Sequence, residues 1–232
     1  MKQVVTTGIV LRRTDYGEAD RIIQVLTHNS GKVALFVRGA RKPNSKLAGG
    51  IELFSVSDMT YVPGKSDLAT LISCRLLENF GHIIQDYDRT MYGYTILQVV
   101  DAVTEPTADE SFFMLLQAGL AGLNHRQLSL AQVQFWFRTR LLTILGALPN
   151  VLQDVAGEPL RSEVNYQFDV DSMAFREDAQ GMFQANHIKL LRLCATAEQP
   201  HVLLRLDVDQ AVIEVLRTLM HDVATTQLQR EV

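Results

Sequence analysis

The chain has 232 residues, of which 47% are hydrophobic and 21% charged, and its formal net charge is -4. This composition is typical of a folded globular protein with one or two domains and excludes a disordered or low-complexity chain. No apolar run is long enough for a membrane helix or a secretory leader, and two cysteines are too few for a disulfide framework, so we expect a cytoplasmic protein.

The first 80 residues predict five β-strands. The strand-forming segments 4–13, 21–27, 32–38, 51–62 and 68–78 are separated by turn-forming stretches that contain Gly, Asn, Asp or Pro. Five short strands, with one long connection between the third and the fourth, fit a small closed or partly open barrel. The five-stranded oligonucleotide/oligosaccharide-binding (OB) barrel is the obvious candidate.

After residue 80 the apolar spacing becomes helical. The predicted helices cover 88–105, 108–123, 128–146, 185–197 and 208–228. Between the third and fourth helices, YQFDV and MAFRE could pair as a short hairpin. The predicted fold class is therefore α+β, with an OB-fold domain in residues 1–80 and a helical domain with a small β-like insertion in residues 81–232.

The two predicted domains differ in charge. Residues 1–80 carry 11 Lys and Arg against 7 Asp and Glu, whereas residues 81–232 carry 11 against 19. The stretch FVRGARKPNSK (36–46) concentrates four of the cations, and no acid lies between Arg21 and Ile51. Such a stretch is either a solvated loop or a site for an anion.

An OB barrel would present this stretch to a single strand of nucleic acid, because such barrels combine a cationic groove with exposed aromatic rings. Tyr16 and Tyr61 lie near turns and are the better candidates for exposed rings. The candidate DNA-binding residues are Arg12, Arg13, Arg21, Lys32, Arg38, Arg41, Lys42, Lys46, Lys65, Tyr16 and Tyr61.

The sequence offers no catalytic constellation. It contains no GxGxxG, GxxxxGK[ST], GxSxG or HExxH motif, and its six histidines are scattered singly. Acid pairs at 86/88 and 207/209 lie at predicted helix starts, where capping explains them better than acid–base chemistry. Cys194 lies on an apolar helix face and is expected to be a small buried side chain. We predict no catalytic residue and no metal site.

The opening segment TGIVLRRTDYGEADRIIQVLTHNSGKVALFVRGARKPNSKLAGGIELFS resembles the RecO family of bacterial DNA repair proteins. That family has a strand, a "GE.D.I" turn and strand, and then a "GAR…S.L.G" connection. The matching positions are Gly17, Glu18, Asp20, Thr27, Gly31, Gly39, Ala40, Arg41, Ser45, Leu47, Gly50 and Phe54. The order of a barrel followed by helices also agrees through the whole chain, including the Leu-Gly pair at 145–146 that closes a helix.

The resemblance implies a recombination mediator rather than an enzyme. Members bind single-stranded and double-stranded DNA, anneal complementary strands, and work with RecR to load RecA onto strands covered by single-stranded DNA-binding protein. RecR and single-stranded DNA-binding protein are thus the expected partners, RecA is an indirect one, and a nucleoid-associated location follows.

In one respect the sequence departs from the family. Many members carry a four-cysteine zinc module after the Leu-Gly pair, but the 147–184 region here contains no cysteine. Zinc and other cofactors are therefore not expected. The alternative hypothesis is a protein-interaction adaptor whose barrel binds a peptide and whose basic loop is only solvated.

Overall fold

The computed structural model describes residues 3–64, 67–107, 109–229 and 232, and the chain divides into two compact units, Met1–Arg126 and Gln127–Val232. Each unit has its own buried core. Within the described residues, no helix combines the length and the apolar character that crossing a membrane requires.

The first unit is built on a closed five-stranded barrel. Its strands are β1 (Val4–Tyr16), β2 (Asp20–Thr27), β3 (Gly31–Val37), β4 (Ser55–Val62) and β5 (Leu68–Asn79). They follow one another around the barrel in the order β1-β2-β3-β5-β4, and β4 pairs with β1 to close it. Only the β3–β5 pair is parallel among these strand pairs. The predicted fold class, a five-stranded barrel followed by helices, is confirmed.

Side-chain alternation along the strands fills the barrel. In β2 and β3, the fully buried Ile23, Val25, Leu35 and Val37 belong to the barrel core, and the residues between them, Gln24 and Phe36, are less buried. Leu26, which follows Val25, is buried as well. The expected start of the fourth strand at residue 51 is wrong, because β4 begins only at Ser55. Before it the chain makes a 3-10 turn over Ala48–Gly50 and then bends, which seats Ile51 in the barrel core.

Two helices complete the first unit, α1 (Tyr87–Val103) and α2 (Glu110–Asn124). Asp86 caps α1 by accepting a hydrogen bond from the backbone N–H of Arg89 at 2.9 Å, as expected for an acid at a helix start. α1 packs against β1, and α2 packs against β2. A Cβ at Gly93 would lie 2.8 Å from the ring of Phe54, so only glycine lets α1 approach that ring so closely.

The second unit contains three longer helices and a short sheet. The helices are α3 (Leu130–Ile144), α4 (Ala185–Thr196) and α5 (Gln210–Leu228), and the strands are β6 (Tyr166–Asp169) and β7 (Ala174–Glu177). The predicted hairpin is present as the antiparallel β6–β7 pair. α3 lies against both α4 and α5, and its three consecutive aromatic residues at 135–137 are all fully buried.

Candidate nucleic-acid interface

The connection that follows β3 carries the densest group of cations, and we call residues 38–50 the basic loop. Its apolar residues hold it against the end of the barrel: Ala40 is buried in the barrel core, and Leu47 packs against that core. Hydrogen bonds inside the loop run from the Lys42 N–H to the Gly39 carbonyl at 3.2 Å and from the Ser45 N–H to the Lys42 carbonyl at 3.0 Å. The basic loop is therefore a folded surface feature rather than an extended tether.

Three cations of the basic loop point into solvent. Arg38, Lys42 and Lys46 are exposed, and none of them makes an ion pair with another residue that the structure describes. Cations whose charge is not met by a neighbouring carboxylate are the ones best able to attract phosphates. These three residues form the core of the candidate interface.

Two further cations share a single carboxylate. Asp15, near the end of β1, lies 2.9 Å from the Arg21 Nε and 3.4 Å from the Arg41 Nε. The hydrogen bond from Arg21 is the main reason that the pKa of Asp15 is lowered from its ordinary value, with Arg41 adding to it. The carboxylate is thus ionised at neutral pH and offsets part of the charge of both arginines.

The remaining described cations of the predicted set are paired with acids outside the basic stretch. Lys32 reaches α1, where its Nζ lies 3.3 Å from a carboxylate oxygen of Asp101, and Arg12 lies 3.3 Å from the other oxygen. Arg13 pairs with Glu52. Lys32 is also largely covered, with 17% of its side chain exposed, so its position serves the contact between the barrel and α1. The predicted DNA contacts of these residues stay predictions.

The two predicted aromatic residues have opposite environments. Tyr16 is 57% exposed, and its ring meets the edge of Phe36 at a centroid distance of 5.9 Å. The expectation that Tyr61 is exposed is wrong: it is 5% exposed and packs inside the barrel, because it alternates inward with Met59 along β4. Lys65, also predicted to bind DNA, lies outside the described residues.

Sequence reasoning missed the acids whose ion pairs determine which cations are available to contact phosphates. Asp101 lies on α1, 69 positions from Lys32, and no local pattern connects the two. Asp15 and Asp20 lie in the turn-forming stretch between the first two predicted strands, and Asp20 is also one of the positions that match the family, but neither observation points to a partner. The sequence also did not single out Phe36 as the partner of the exposed Tyr16 ring. Its position between the buried Leu35 and Val37 in β3 does indicate that it faces away from the barrel core.

Other kinds of site find little support. Within the described residues, no group of three or more His, Cys, Asp or Glu could hold a metal ion. Burial raises the pKa of Cys194 to about 12 and that of Cys74 to about 11, so both thiols are protonated at neutral pH and are poor nucleophiles.

Comparison with known proteins gives matches to both parts of the chain. The family model described as "Recombination protein O N terminal" matches residues 1–80, and the model described as "Recombination protein O C terminal" matches residues 84–232. The first match covers the barrel strands and the basic loop, and the second covers the helices.

Individual relatives agree with these models. The chain is 37% identical to DNA repair protein RecO of Moorella thermoacetica over 145 residues, which is 62% of this chain and 53% of that protein. It is 33% identical to DNA repair protein RecO of Acetivibrio thermocellus over 64% of this chain and 59% of that protein. DNA repair protein RecO of Listeria monocytogenes is 31% identical over 80% of this chain and 74% of its own length. The first two matches therefore span less than two thirds of the relatives.

Proposed function

The chain belongs to the RecO family of DNA repair proteins, and we propose that it is a non-enzymatic recombination mediator. In this role it binds and anneals single-stranded DNA and helps RecR to load RecA onto strands covered by single-stranded DNA-binding protein. The family membership supports a role in DNA repair. The barrel and its basic loop support DNA as the ligand.

One observation carries the DNA-binding part of the proposal. Arg38, Lys42 and Lys46 are exposed on a loop that is packed against the end of the barrel, and no described acid pairs with them. The exposed ring of Tyr16 belongs to the same barrel. Cations that follow the phosphates and an aromatic ring that stacks on bases are the two elements by which OB barrels bind single strands.

Binding through phosphates also suits annealing. Lys and Arg side chains that contact phosphates carry no sequence information and leave the edges of the bases free. Neutralising part of the backbone charge reduces the repulsion between two strands that approach each other. A strand held in this way can still pair with its complement.

Protein partners are assigned to the second unit. It carries 9 Lys and Arg against 13 Asp and Glu, and this negative balance disfavours contact with DNA. We propose that RecR and the single-stranded DNA-binding protein are bound by the second unit and not by the basic loop. Co-purification of each partner with the chain tests this part of the proposal, and absence of both partners would contradict it.

A salt titration tests the DNA-binding part. Binding of a labelled single-stranded oligonucleotide is measured at a series of salt concentrations, for the natural chain and for a variant with Arg38, Lys42 and Lys46 replaced by Ala. Each phosphate contact to a single strand contributes about -0.7 to the slope of log K against log salt. We expect the triple variant to flatten that slope by about 2 and to weaken binding equally for different sequences.

The control variant carries the same change in charge elsewhere. Arg176, Lys189 and Arg205 are exposed residues of the second unit, and replacing them by Ala should leave the slope unchanged. An equal effect of both triple variants would mean that only net charge matters. An unaltered slope in the loop variant would remove the basic loop as the DNA site, and no binding at low salt would favour the peptide-binding adaptor.

A further inference from the structure

The basic loop is held at its beginning by the hairpin that joins β1 to β2. The Gly39 N–H donates a hydrogen bond to the Oδ1 of Asp20 at 2.7 Å. Two residues later, the Arg41 N–H donates to the Ala19 carbonyl at 2.9 Å. One side chain and one main-chain carbonyl of the hairpin thus fix the first turn of the loop.

This first turn has an unusual backbone. Gly39 has a φ of 65°, in the left-handed region that favours glycine. Its N–H is directed toward Asp20, and its carbonyl accepts from Lys42. Gly39 therefore turns the chain between Arg38 and Lys42, and its orientation determines where both cations point.

A carboxylate at this place has two opposite effects on DNA binding. Its negative charge repels phosphates and should weaken binding. Its hydrogen bond holds the loop in one conformation, which lowers the entropy lost when the cations are ordered on a strand. The net effect of Asp20 on DNA affinity depends on which of the two is larger. Substitutions that remove the charge with or without the hydrogen bond can separate them.

We propose that Asp20 is a positioning residue for DNA binding, which acts by holding Gly39 so that Arg38, Lys42 and Lys46 are presented together. This inference rests on the proposed function, since it assigns a role to a residue that need not touch the DNA. The main-chain contact to Ala19 and the burial of Ala40 also hold this turn.

A matched pair of variants separates the hydrogen bond from the charge. Asp20→Asn removes the charge but keeps an oxygen that can accept from the Gly39 N–H. Asp20→Ala removes both. Because the two variants have the same net charge, a difference between them reports the loss of the accepting side chain and not the loss of charge.

We expect Asp20→Asn to bind a labelled single-stranded oligonucleotide at least as tightly as the natural chain, with the same salt slope. Asp20→Ala should bind about fivefold more weakly than Asp20→Asn, as the loss of a typical hydrogen bond predicts. Its salt slope should also be flatter by about 0.7, the contribution of one contact. A role in stability alone would change the melting temperature without changing the slope.

A second variant tests the same turn with every charge retained. A Cβ at Gly39 would meet only flexible carbons of Lys42, the nearest at 3.5 Å, but the φ of 65° is strained for alanine. Gly39→Ala should therefore shift the start of the loop and flatten the slope while the unit stays folded. This variant decides the question if Asp20→Ala does not fold.

The results separate this inference from the proposed function. Equal affinities and slopes for Asp20→Asn and Asp20→Ala, or an unchanged slope for Gly39→Ala, would overturn the positioning role. If the variant with Arg38, Lys42 and Lys46 replaced still had a flatter slope, the basic loop would remain the DNA site. If that triple variant also kept its slope, the proposed site itself would be wrong.

Discussion

At the scale of single residues, the pairing of charges matters more than their number. The sequence predicts a basic stretch because no acid lies between Arg21 and Ile51. In the fold, Asp15 meets two of these arginines from the preceding strand, and Asp101 meets Lys32 from α1. The position of the basic stretch could be predicted, but the pairing could not, because ion-pair partners are chosen by tertiary contacts rather than by sequence distance.

The shared carboxylate gives a prediction about which arginines are held back from DNA. Replacing Asp15 by Asn removes the charge that offsets Arg21 and Arg41. We expect tighter binding of single-stranded DNA at low salt, and a salt slope that is steeper by about 0.7 for each arginine that gains a phosphate contact. The measurement is the oligonucleotide salt titration, with the melting temperature recorded to confirm folding.

The control for this prediction is a second acid in the same hairpin. Glu18 is exposed and makes no ion pair with the residues that the structure describes. Glu18→Gln removes one negative charge without releasing an arginine, so it should change the slope less than Asp15→Asn. Identical slopes for the two variants would mean that Asp15 acts only through net charge.

At the scale of elements, periodicity and turn residues predicted the five barrel strands and the five helices, and the β6–β7 hairpin was predicted as a possible pairing. The errors lie at ends and orientations. Residues 51–54 bend rather than extend, and Phe54 has a φ of 57°, which an apolar pattern cannot predict. The inward position of Tyr61 was recoverable, since Met59 and Tyr61 alternate with Asp58 and Thr60 along β4.

One helix start carries a pH-sensitive contact. At the beginning of α4, the Gln184 N–H donates to the Nδ1 of His187 at 3.1 Å, and the imidazole is buried against the ring of Phe183. Burial lowers the pKa of His187 from its ordinary value of 6.5, although the backbone of Gln184 acts in the opposite direction. The folded chain therefore favours the neutral imidazole.

This lowered pKa predicts the direction of a pH effect on stability. Below about pH 6.5, His187 is more protonated in the unfolded chain than in the folded chain. The free energy of unfolding should therefore decrease as the pH falls from about 6.5 toward the lowered pKa. His187→Gln keeps an acceptor at the third helical position but cannot titrate, so its stability should depend less on pH in this range.

Denaturant unfolding of both proteins at several pH values checks this expectation. The other histidines are common to the natural chain and the variant, so their contributions cancel in the difference. Parallel curves for the two proteins between about pH 7.5 and about pH 5.5 would show that His187 does not cause the acid sensitivity.

At the scale of the whole molecule, the boundary between the two family models differs from the boundary between the two compact units. The family models meet between residues 80 and 84, where strands give way to helices. The compact units divide at residue 126, because α1 and α2 pack against the barrel. The predicted boundary at 80/81 stays a prediction about domains. Periodicity marks where helices begin, but it does not show which surface they cover.

The wider first unit also changes the charge balance. Residues 1–126 carry 13 Lys and Arg and 13 Asp and Glu, so the excess of cations in residues 1–80 is offset by the acids in and beside the two helices. Asp101 and Glu110 are two of these acids, and they pair with Lys32 and His28 of the barrel. Under the proposed function, attraction of DNA by the first unit must therefore come from the local arrangement of the basic loop and not from net charge.

These contacts predict how fragments of the chain behave. A fragment of residues 1–126 keeps α1 and α2 on the barrel and should unfold cooperatively. It should bind single-stranded DNA with the salt slope of the full chain, because it retains the whole basic loop. A fragment of residues 1–80 leaves Lys32 without Asp101 and exposes the barrel surface that the helices cover, so it should melt at a lower temperature and bind a hydrophobic dye.

Thermal melts and oligonucleotide titrations of both fragments, with residues 127–232 as the control, provide the measurements. Equal melting temperatures for the two barrel fragments would mean that the barrel does not need its helices. Full DNA affinity in the 127–232 fragment would mean that the basic loop is not the main binding site.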